Sequence, residues 1–128
     1  MKPRVERSPR QKLGSYGENL AKKFLAQKGF EIVASNWRTR WGEIDIVASR
    51  DDVLHFVEVK TRFGENHGAP HEAVNRFKCQ QILGAAKLYL AEKQPTQSSF
   101  QIDVVGITLN KAEKSVKISY FENVVLDN

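Results

Sequence analysis

Hydrophobic residues recur along this chain of 128 residues with two different periods, which together predict two helices and five strands. Helical spacing of apolar residues predicts a first helix over residues 14–27 and a second over 71–93. Alternating or short continuous apolar runs predict strands at residues 30–37, 42–49, 53–62, 100–109 and 115–123. The predicted order is α-β-β-β-α-β-β, an α/β domain with a mixed central sheet flanked by helices.

Local signals predict where these elements begin and end. Ser15 is the predicted N-cap of the first helix, with Glu18 three residues later as its capping-box partner, and Gly29 is the predicted stop. The short polar turn between the second and third strands predicts a hairpin within an antiparallel meander. Residues 1–12 contain two prolines and no apolar period. They are predicted to form a flexible arm, which leaves 13–128 as a single domain.

The second predicted strand carries acidic residues among apolar ones, which is costly where a strand is buried on both faces. Because side chains alternate along a strand, Glu43, Asp45 and Val47 are predicted to share one face. The other face is predicted to hold Ile44, Ile46 and Ala48.

The third predicted strand adds a further acid and a lysine, Glu58 and Lys60, which should also share a face. If the two strands pair, Asp45 and Glu58 point into the same space, where two carboxylates repel unless a cation joins them. Mg²⁺ takes hard oxygen ligands, and a neighbouring lysine could orient the attacking water or stabilise developing negative charge. The pattern therefore indicates metal-dependent phosphodiester hydrolysis. The alternative is a solvated Glu–Lys pair, which is common on strand surfaces.

Composition narrows the class of protein. Apolar residues make up 41% of the chain and charged residues 27%, which is typical of a globular domain. No apolar stretch approaches the roughly 20 residues that span a bilayer, and the N-terminal segment lacks the apolar region of a signal peptide. The single cysteine, Cys79, excludes an internal disulfide, so we expect a cytoplasmic protein without a membrane partner.

Charge is distributed unevenly along the chain. The formal net charge is +5, of which residues 1–12 contribute +4 and residues 60–93 contribute +3, while the two remaining parts contribute −1 each. A basic arm on a nearly neutral body favours a nucleic-acid partner, although many such arms are only solvated tails.

Four short motifs together resemble a known family: NWR at 36–38, GEID at 42–45, FVEVKTR at 56–62 and IDVV at 102–105. Their combination is similar to the YraN-like family of small bacterial predicted endonucleases, within the PD-(D/E)XK nuclease superfamily. A more distant similarity is to archaeal Holliday-junction resolvases. The resemblance covers nearly everything after the arm and implies a restriction-endonuclease-like core.

The resemblance also implies roles for individual residues. It implies that Asp45 and Glu58 are metal ligands and that Lys60 is the catalytic lysine, in agreement with the residue pattern. It adds Glu18 and the backbone carbonyl of Val59 as further ligands, Mg²⁺ or Mn²⁺ as the cofactor, and structured or branched DNA as the substrate. By pattern alone, Glu18 could be only a capping residue.

Several basic residues are candidates for phosphate contact. Arg38 and Arg40 lie in the segment WRTRW, which could grip phosphate and stack on an unpaired base. The alternative is that Trp37 is a core residue and the arginines are solvated. Arg62 directly follows the third-strand motif. Lys78 in the second helix is predicted to reach the site, with a lysine at the edge of the apolar stripe as the alternative.

Three positions complete the sequence-based picture. Asp103, within an apolar strand, is either a structural hydrogen-bonding residue or a second acid near the site. Trp41 and Gln101 stand where the family pattern has a glycine and an arginine.

The intact acids and lysine favour an endonuclease over two other hypotheses: a non-catalytic nucleic-acid-binding accessory protein and an RNA nuclease. A homodimer would suit a junction substrate, but no pattern marks a dimer face.

Overall fold

Five strands form one mixed sheet with two helices packed on it in this computed structural model, which describes residues 8–64 and 76–124. In chain order the elements are α1 (Pro9–Gln27), β1 (Glu31–Thr39), β2 (Gly42–Arg50), β3 (Val53–Phe63), α2 (Arg76–Lys93), β4 (Ser99–Asn110) and β5 (Ser115–Phe121). The predicted α/β class and element order are confirmed. The predicted second helix starts at residue 71, and its first five residues, 71–75, lie outside the described ranges. Within those ranges, neither helix is both long and apolar enough to cross a membrane.

The sheet has the strand order β1-β2-β3-β4-β5. The first three strands form the predicted antiparallel meander, β3 and β4 are parallel, and β5 is antiparallel to β4. Parallel neighbours need a crossover connection, and here that connection contains α2. The helices cover opposite faces of the sheet and create two cores. The core with α2 includes Ile44, Val47, Phe56 and Tyr89. The core with α1 includes Leu25, Ile46, Val57 and Val105.

Helix α1 begins at Pro9, five residues earlier than predicted. Its N-cap is Ser8, whose Oγ accepts a hydrogen bond from the backbone N–H of Gln11 at 3.2 Å. Gln11 Oε1 in turn accepts from the Ser8 N–H at 2.9 Å, which completes a capping box. The predicted Ser15–Glu18 capping box is therefore wrong, and residues 9–12 of the predicted arm are helical. The first turn carries no apolar period, so hydrophobic spacing alone did not reveal it.

The predicted alternation of β2 is wrong at Asp45. Ile44 packs in the core with α2, as Val47 does, whereas Ile46 packs in the core with α1. Ile44 and Val47 are three positions apart and would lie on opposite faces of a regular strand. Because they share a face, the regular alternation is interrupted between them. The β2–β3 ladder also stops here, because Ile46–Val57 is its last pair on this side. The interruption leaves a gap between the two strands.

A buried hydrogen-bond network fixes the other half of the sheet. Asp103 is fully buried, and its carboxylate lies 2.6 Å from His55 Nδ1 and accepts a hydrogen bond from the Tyr120 hydroxyl at 2.5 Å. It also accepts from Gln101 Nε2 at 2.8 Å and from the Asn123 N–H at 2.9 Å. Burial raises the pKa of Asp103, but these donors outweigh burial and hold the pKa below its ordinary value. Asp103 is thus a structural hydrogen-bonding residue, the first of its two predicted roles.

Candidate metal centre

Carboxylates from two elements converge where the β2–β3 ladder ends. Glu18 comes from α1, and Glu43 and Asp45 come from β2. One oxygen from each carboxylate lies within 4.8 Å of the others, and all three residues are half-buried. Oxygens at this spacing can serve as ligands of a single divalent cation. The structure therefore brings Glu18 to Asp45, as the resemblance implied, and adds Glu43.

Asn36 on β1 holds two of these acids in place. Its amide nitrogen donates to Glu18 Oε2 at 2.9 Å and to Glu43 Oε1 at 2.7 Å. Its φ is +52°, a left-handed conformation that asparagine adopts more readily than most residues. Asn36 and Glu43 had no predicted role. The position of Glu43 two residues before Asp45 was the available signal, while nothing in the sequence tied Asn36 to α1.

The side chain of Asp45 lies between β2 and β3, and its pKa is raised. Its Oδ2 accepts a hydrogen bond from the Val59 N–H at 2.8 Å, so its side chain bridges the gap between β2 and β3. The pKa of Asp45 is raised to about 8, chiefly by burial and then by the charge of Glu58, with Glu18 adding to the shift and Val59 opposing it. A cation placed among these carboxylates would offset both causes. The Val59 N–H therefore contacts Asp45, while the role predicted for the Val59 carbonyl, that of a metal ligand, stays a prediction.

Glu58 and Lys60 lie on the α2 side of the sheet. Glu58 is only 6% exposed, and its Oε1 lies 3.5 Å from Lys78 Nζ on α2. Val57 and Val59 pack toward α1, so alternation places Glu58 and half-buried Lys60 together on the opposite face. Because Glu58 also hydrogen-bonds to Asp45 across the gap, the two predicted acids do meet.

A close approach of α1 to β3 sets the position of Glu18. The preceding residue, Gly17, is buried against Thr61, and a Cβ built on Gly17 would lie 1.7 Å from Thr61 Oγ1. No side chain fits there without movement of the helix or the strand. Gly17 therefore allows α1 to pack closely enough for Glu18 to reach β2.

The predicted phosphate-contact residues have different surroundings. Arg38 is 84% exposed, with its Nε 3.4 Å from Glu43 Oε2, and the Arg40 guanidinium lies 5.7 Å from the Trp41 ring centre. Trp37 packs edge-on against Tyr89 in the core, which is the structural alternative for that residue. Arg62 is half-buried near the end of β3, and Lys78 forms an ion pair with Glu58.

The fold and the site together define an α/β domain with converging carboxylates at a gap in its central meander. The model of the uncharacterised protein family UPF0102, which is the YraN-like family, matches residues 17–107. The chain belongs to this family. The matched range contains every residue of the carboxylate group and Lys60.

Relatives in this family are similar over most of their length. A UPF0102 protein of Clostridium novyi is 39% identical over 111 residues, which cover 87% of this chain and 92% of that protein. One of Nocardia farcinica is 44% identical over 107 residues, covering 84% of each chain. One of Campylobacter hominis is 41% identical over 115 residues, covering 90% of this chain and 95% of that protein.

Proposed function

We propose that this protein is a Mg²⁺- or Mn²⁺-dependent DNA endonuclease that hydrolyses phosphodiester bonds, with structured or branched DNA as its preferred substrate. The observation that carries the proposal is the convergence of Glu18, Glu43 and Asp45 within 4.8 Å of one another at a gap in the sheet. Glu58 and Lys60 on the next strand supply a fourth carboxylate and an ammonium group.

The residues at the gap fit a hard divalent cation. All the candidate side-chain ligands are carboxylate oxygens, which Mg²⁺ and Mn²⁺ prefer. Burial and then the charge of Glu58 raise the pKa of Asp45, so a cation beside it would favour its charged form. Glu18, Glu43 and Asp45 would hold the ion, with Glu58 beside them. When bound, the ion would supply positive charge that polarises the phosphodiester.

Other residues of the chain position these groups and the substrate. Asn36 orients Glu18 and Glu43 through its amide, and the Val59 N–H fixes Asp45. The Lys60 ammonium, on the same face as Glu58, would stabilise negative charge that develops on the phosphate oxygens during the reaction. These hydrogen bonds would hold the carboxylates in position for the cation and the substrate.

The substrate would approach through a cleft of about 450 Å³ between α1 and the β1–β2 hairpin. Its lining includes Glu18, Asn36 and Glu43 of the candidate metal centre, together with exposed Arg38. A cation at the entrance attracts a phosphate backbone toward carboxylates that would otherwise repel it. The net charge of +5 acts in the same direction over a longer range.

A second candidate function is a non-catalytic nucleic-acid-binding protein with the same fold. Two ion pairs favour it, because Lys78 lies beside Glu58 and Arg38 lies beside Glu43. Half of the acids at the gap therefore already have a cationic partner. A protein of this kind would bind nucleic acid equally well with or without a divalent cation.

Cleavage of a panel of DNA substrates separates the two functions. The panel contains blunt duplex, single-stranded, flap and four-way DNA, each with Mg²⁺, Mn²⁺ or a chelator, and single-stranded RNA tests the RNA-nuclease alternative. We expect cleavage of branched DNA that needs the cation and is absent in Asp45→Asn. Metal-independent binding to the same DNA, without cleavage of any substrate, would instead establish the binding protein.

A further inference from the structure

We propose that the tip of the β1–β2 hairpin and the facing side of α2 form a docking groove for single-stranded nucleic acid. This inference rests on the proposed function and makes it more specific, because it identifies the substrate as DNA with an unpaired segment next to the cleavage position. The unpaired segment would stack its bases on Trp41 and would direct its phosphates toward Arg38.

Two adjoining grooves define the surface. The first has a volume of about 470 Å³ and lies between the hairpin and α2, where it is lined by Arg38, Arg40 and Leu88 among others. The second has a volume of about 360 Å³ and is lined by Trp41, Lys87 and again Leu88. Leu88 lines both, so the two grooves are neighbours, and we call them together the hairpin groove.

The hairpin groove adjoins the cleft of the candidate metal centre at Arg38. Arg38 lines the first groove and also the cleft that contains Glu18 and Glu43. A strand lying in the hairpin groove would therefore pass Arg38 as it enters the cleft. The guanidinium is held near the carboxylates by its 3.4 Å contact with Glu43, so a phosphate bound there would be close to the acids.

The chemistry of the hairpin groove matches an unpaired strand better than a duplex. Trp41 is 47% exposed, with its ring against Gly84 of α2 and the Arg40 guanidinium 5.7 Å away. An exposed indole beside cations stacks on bases and pairs with phosphates, and bases are available for stacking only where they are unpaired. The described lining residues carry three cations, Arg38, Arg40 and Lys87, against one acid, Glu92.

Tryptophan fluorescence gives a direct test, because both tryptophans of the chain, Trp37 and Trp41, lie at this hairpin. Wild-type protein is titrated with oligo-dT or with blunt duplex in chelator, so that no cleavage is needed. We expect oligo-dT to quench the fluorescence. Trp41→Phe should lose most of the quench but keep its affinity, measured by anisotropy of a labelled strand. Trp41→Ala should bind oligo-dT roughly tenfold more weakly.

Charge reversal provides a second variant, in which the Trp41 side chain itself is retained. Lys87→Glu, on the exposed side of α2, should weaken oligo-dT binding by roughly tenfold or more. The matched control is Lys23→Glu, because Lys23 is also exposed, lies on α1 and lines neither groove. The control should bind oligo-dT within about threefold of wild type.

The affinity for blunt duplex should be unchanged in Trp41→Ala, because the bases of a duplex are not available for stacking on Trp41.

Three results would overturn the proposal. One is equal oligo-dT affinity for wild type and Trp41→Ala, and another is an equal loss with blunt duplex. The third is a change in sedimentation of Trp41→Ala without a change in strand binding, which would make the groove a self-association surface. The nuclease proposal fails separately, because a protein that binds oligo-dT through the hairpin groove but cuts no DNA would overturn only the endonuclease assignment.

Discussion

Asp45 and Asp103 are both acids within apolar strands, but their hydrogen bonding differs. Asp103 has four partners and a lowered pKa, because its donors stabilise the charged form. Asp45 accepts one backbone hydrogen bond, and burial, followed by the charge of Glu58, raises its pKa to about 8. A buried acid with too little positive charge is destabilising unless a cation binds, which favours a functional role for Asp45.

Removing the charge of Asp45 should stabilise the metal-free protein. Its pKa rises from 3.8 to about 8 in the folded state, so its contribution to stability is complete below about pH 4 and is lost as the pH rises through 8. We expect the Tm of the wild type in chelator to fall between pH 6 and pH 9, and that of Asp45→Asn to fall less. Added Mn²⁺ should raise the Tm of the wild type only. Calorimetric melts between pH 6 and pH 9 would measure these changes in Tm. A Tm for Asp45→Asn below that of the wild type at pH 9 in chelator would contradict the prediction.

The same substitution at Asp103 should have the opposite effect. Its pKa is lowered in the folded state, so its contribution is present above about pH 4 and is lost as the pH falls. Asp103→Asn should cost about 3 kcal/mol at pH 7, since it leaves buried partners unsatisfied. The difference from wild type should shrink in melts below pH 4. A neutral effect at pH 7 would mean that the network is not structural.

At this scale the sequence predicted that Asp45 and Glu58 lie close together, but it did not predict the part of Asn36 and Glu43. Asp45, Glu58 and Lys60 stood out because acids and a lysine interrupted apolar runs, a local signal. Asn36 had no such signal, because its role depends on the approach of α1 to β1. The contact is between residues 18 positions apart, a distance over which apolar periodicity carries no information.

At the scale of elements, the packing of α1 on β3 determines where Glu18 lies. Gly17→Ala should force the two elements apart, because its Cβ would lie 1.7 Å from Thr61 Oγ1. We expect a loss of about 1–3 kcal/mol in unfolding free energy, with weaker Mn²⁺ binding. Urea unfolding and calorimetric titration would measure the two effects.

The matched control is Gly14→Ala in the same helix, where a Cβ would meet nothing within 4 Å. This variant should gain about 0.5–1 kcal/mol, since alanine favours a helix over glycine. If both variants gain stability, the close approach of α1 does not constrain Glu18.

The two wrong predictions about elements have definite physical causes. The start of α1 is determined by the Ser8 and Gln11 hydrogen bonds, whereas the apolar residues begin one turn later. The alternation of β2 fails at Asp45, because its side chain takes the Val59 N–H that a regular ladder would pair with a backbone carbonyl. Helix spacing and strand alternation describe regular elements only, so they miss both features.

At the scale of the whole molecule, the distribution of charge can be read from the sequence. Residues 1–7 carry three basic side chains and one acid, ahead of the cap at Ser8. Deleting them should weaken binding to all DNA sequences and should lower the slope of log affinity against log salt by about 2–3. Filter binding across a salt series would measure this slope.

A full-length control separates charge from chain length. Replacing Lys2, Arg4 and Arg7 by serine should reproduce the effect of the deletion, because only the cations release counterions. An unchanged slope in both variants would assign the N-terminal charge to something other than DNA.

The central claim is that the carboxylates and Lys60 cut DNA with a divalent cation, and single-turnover cleavage of four-way DNA tests it most directly. Wild type, Asp45→Asn and Lys60→Ala are assayed with Mn²⁺ and in chelator, and gel-shift affinity is measured on the same preparations. Lys60 should act mainly in the transition state, so Lys60→Ala should bind within a few-fold of wild type. It should cleave roughly a hundredfold more slowly or worse, and Asp45→Asn should not cleave. Cleavage by Lys60→Ala at the wild-type rate, or wild-type cleavage in chelator, would contradict the account.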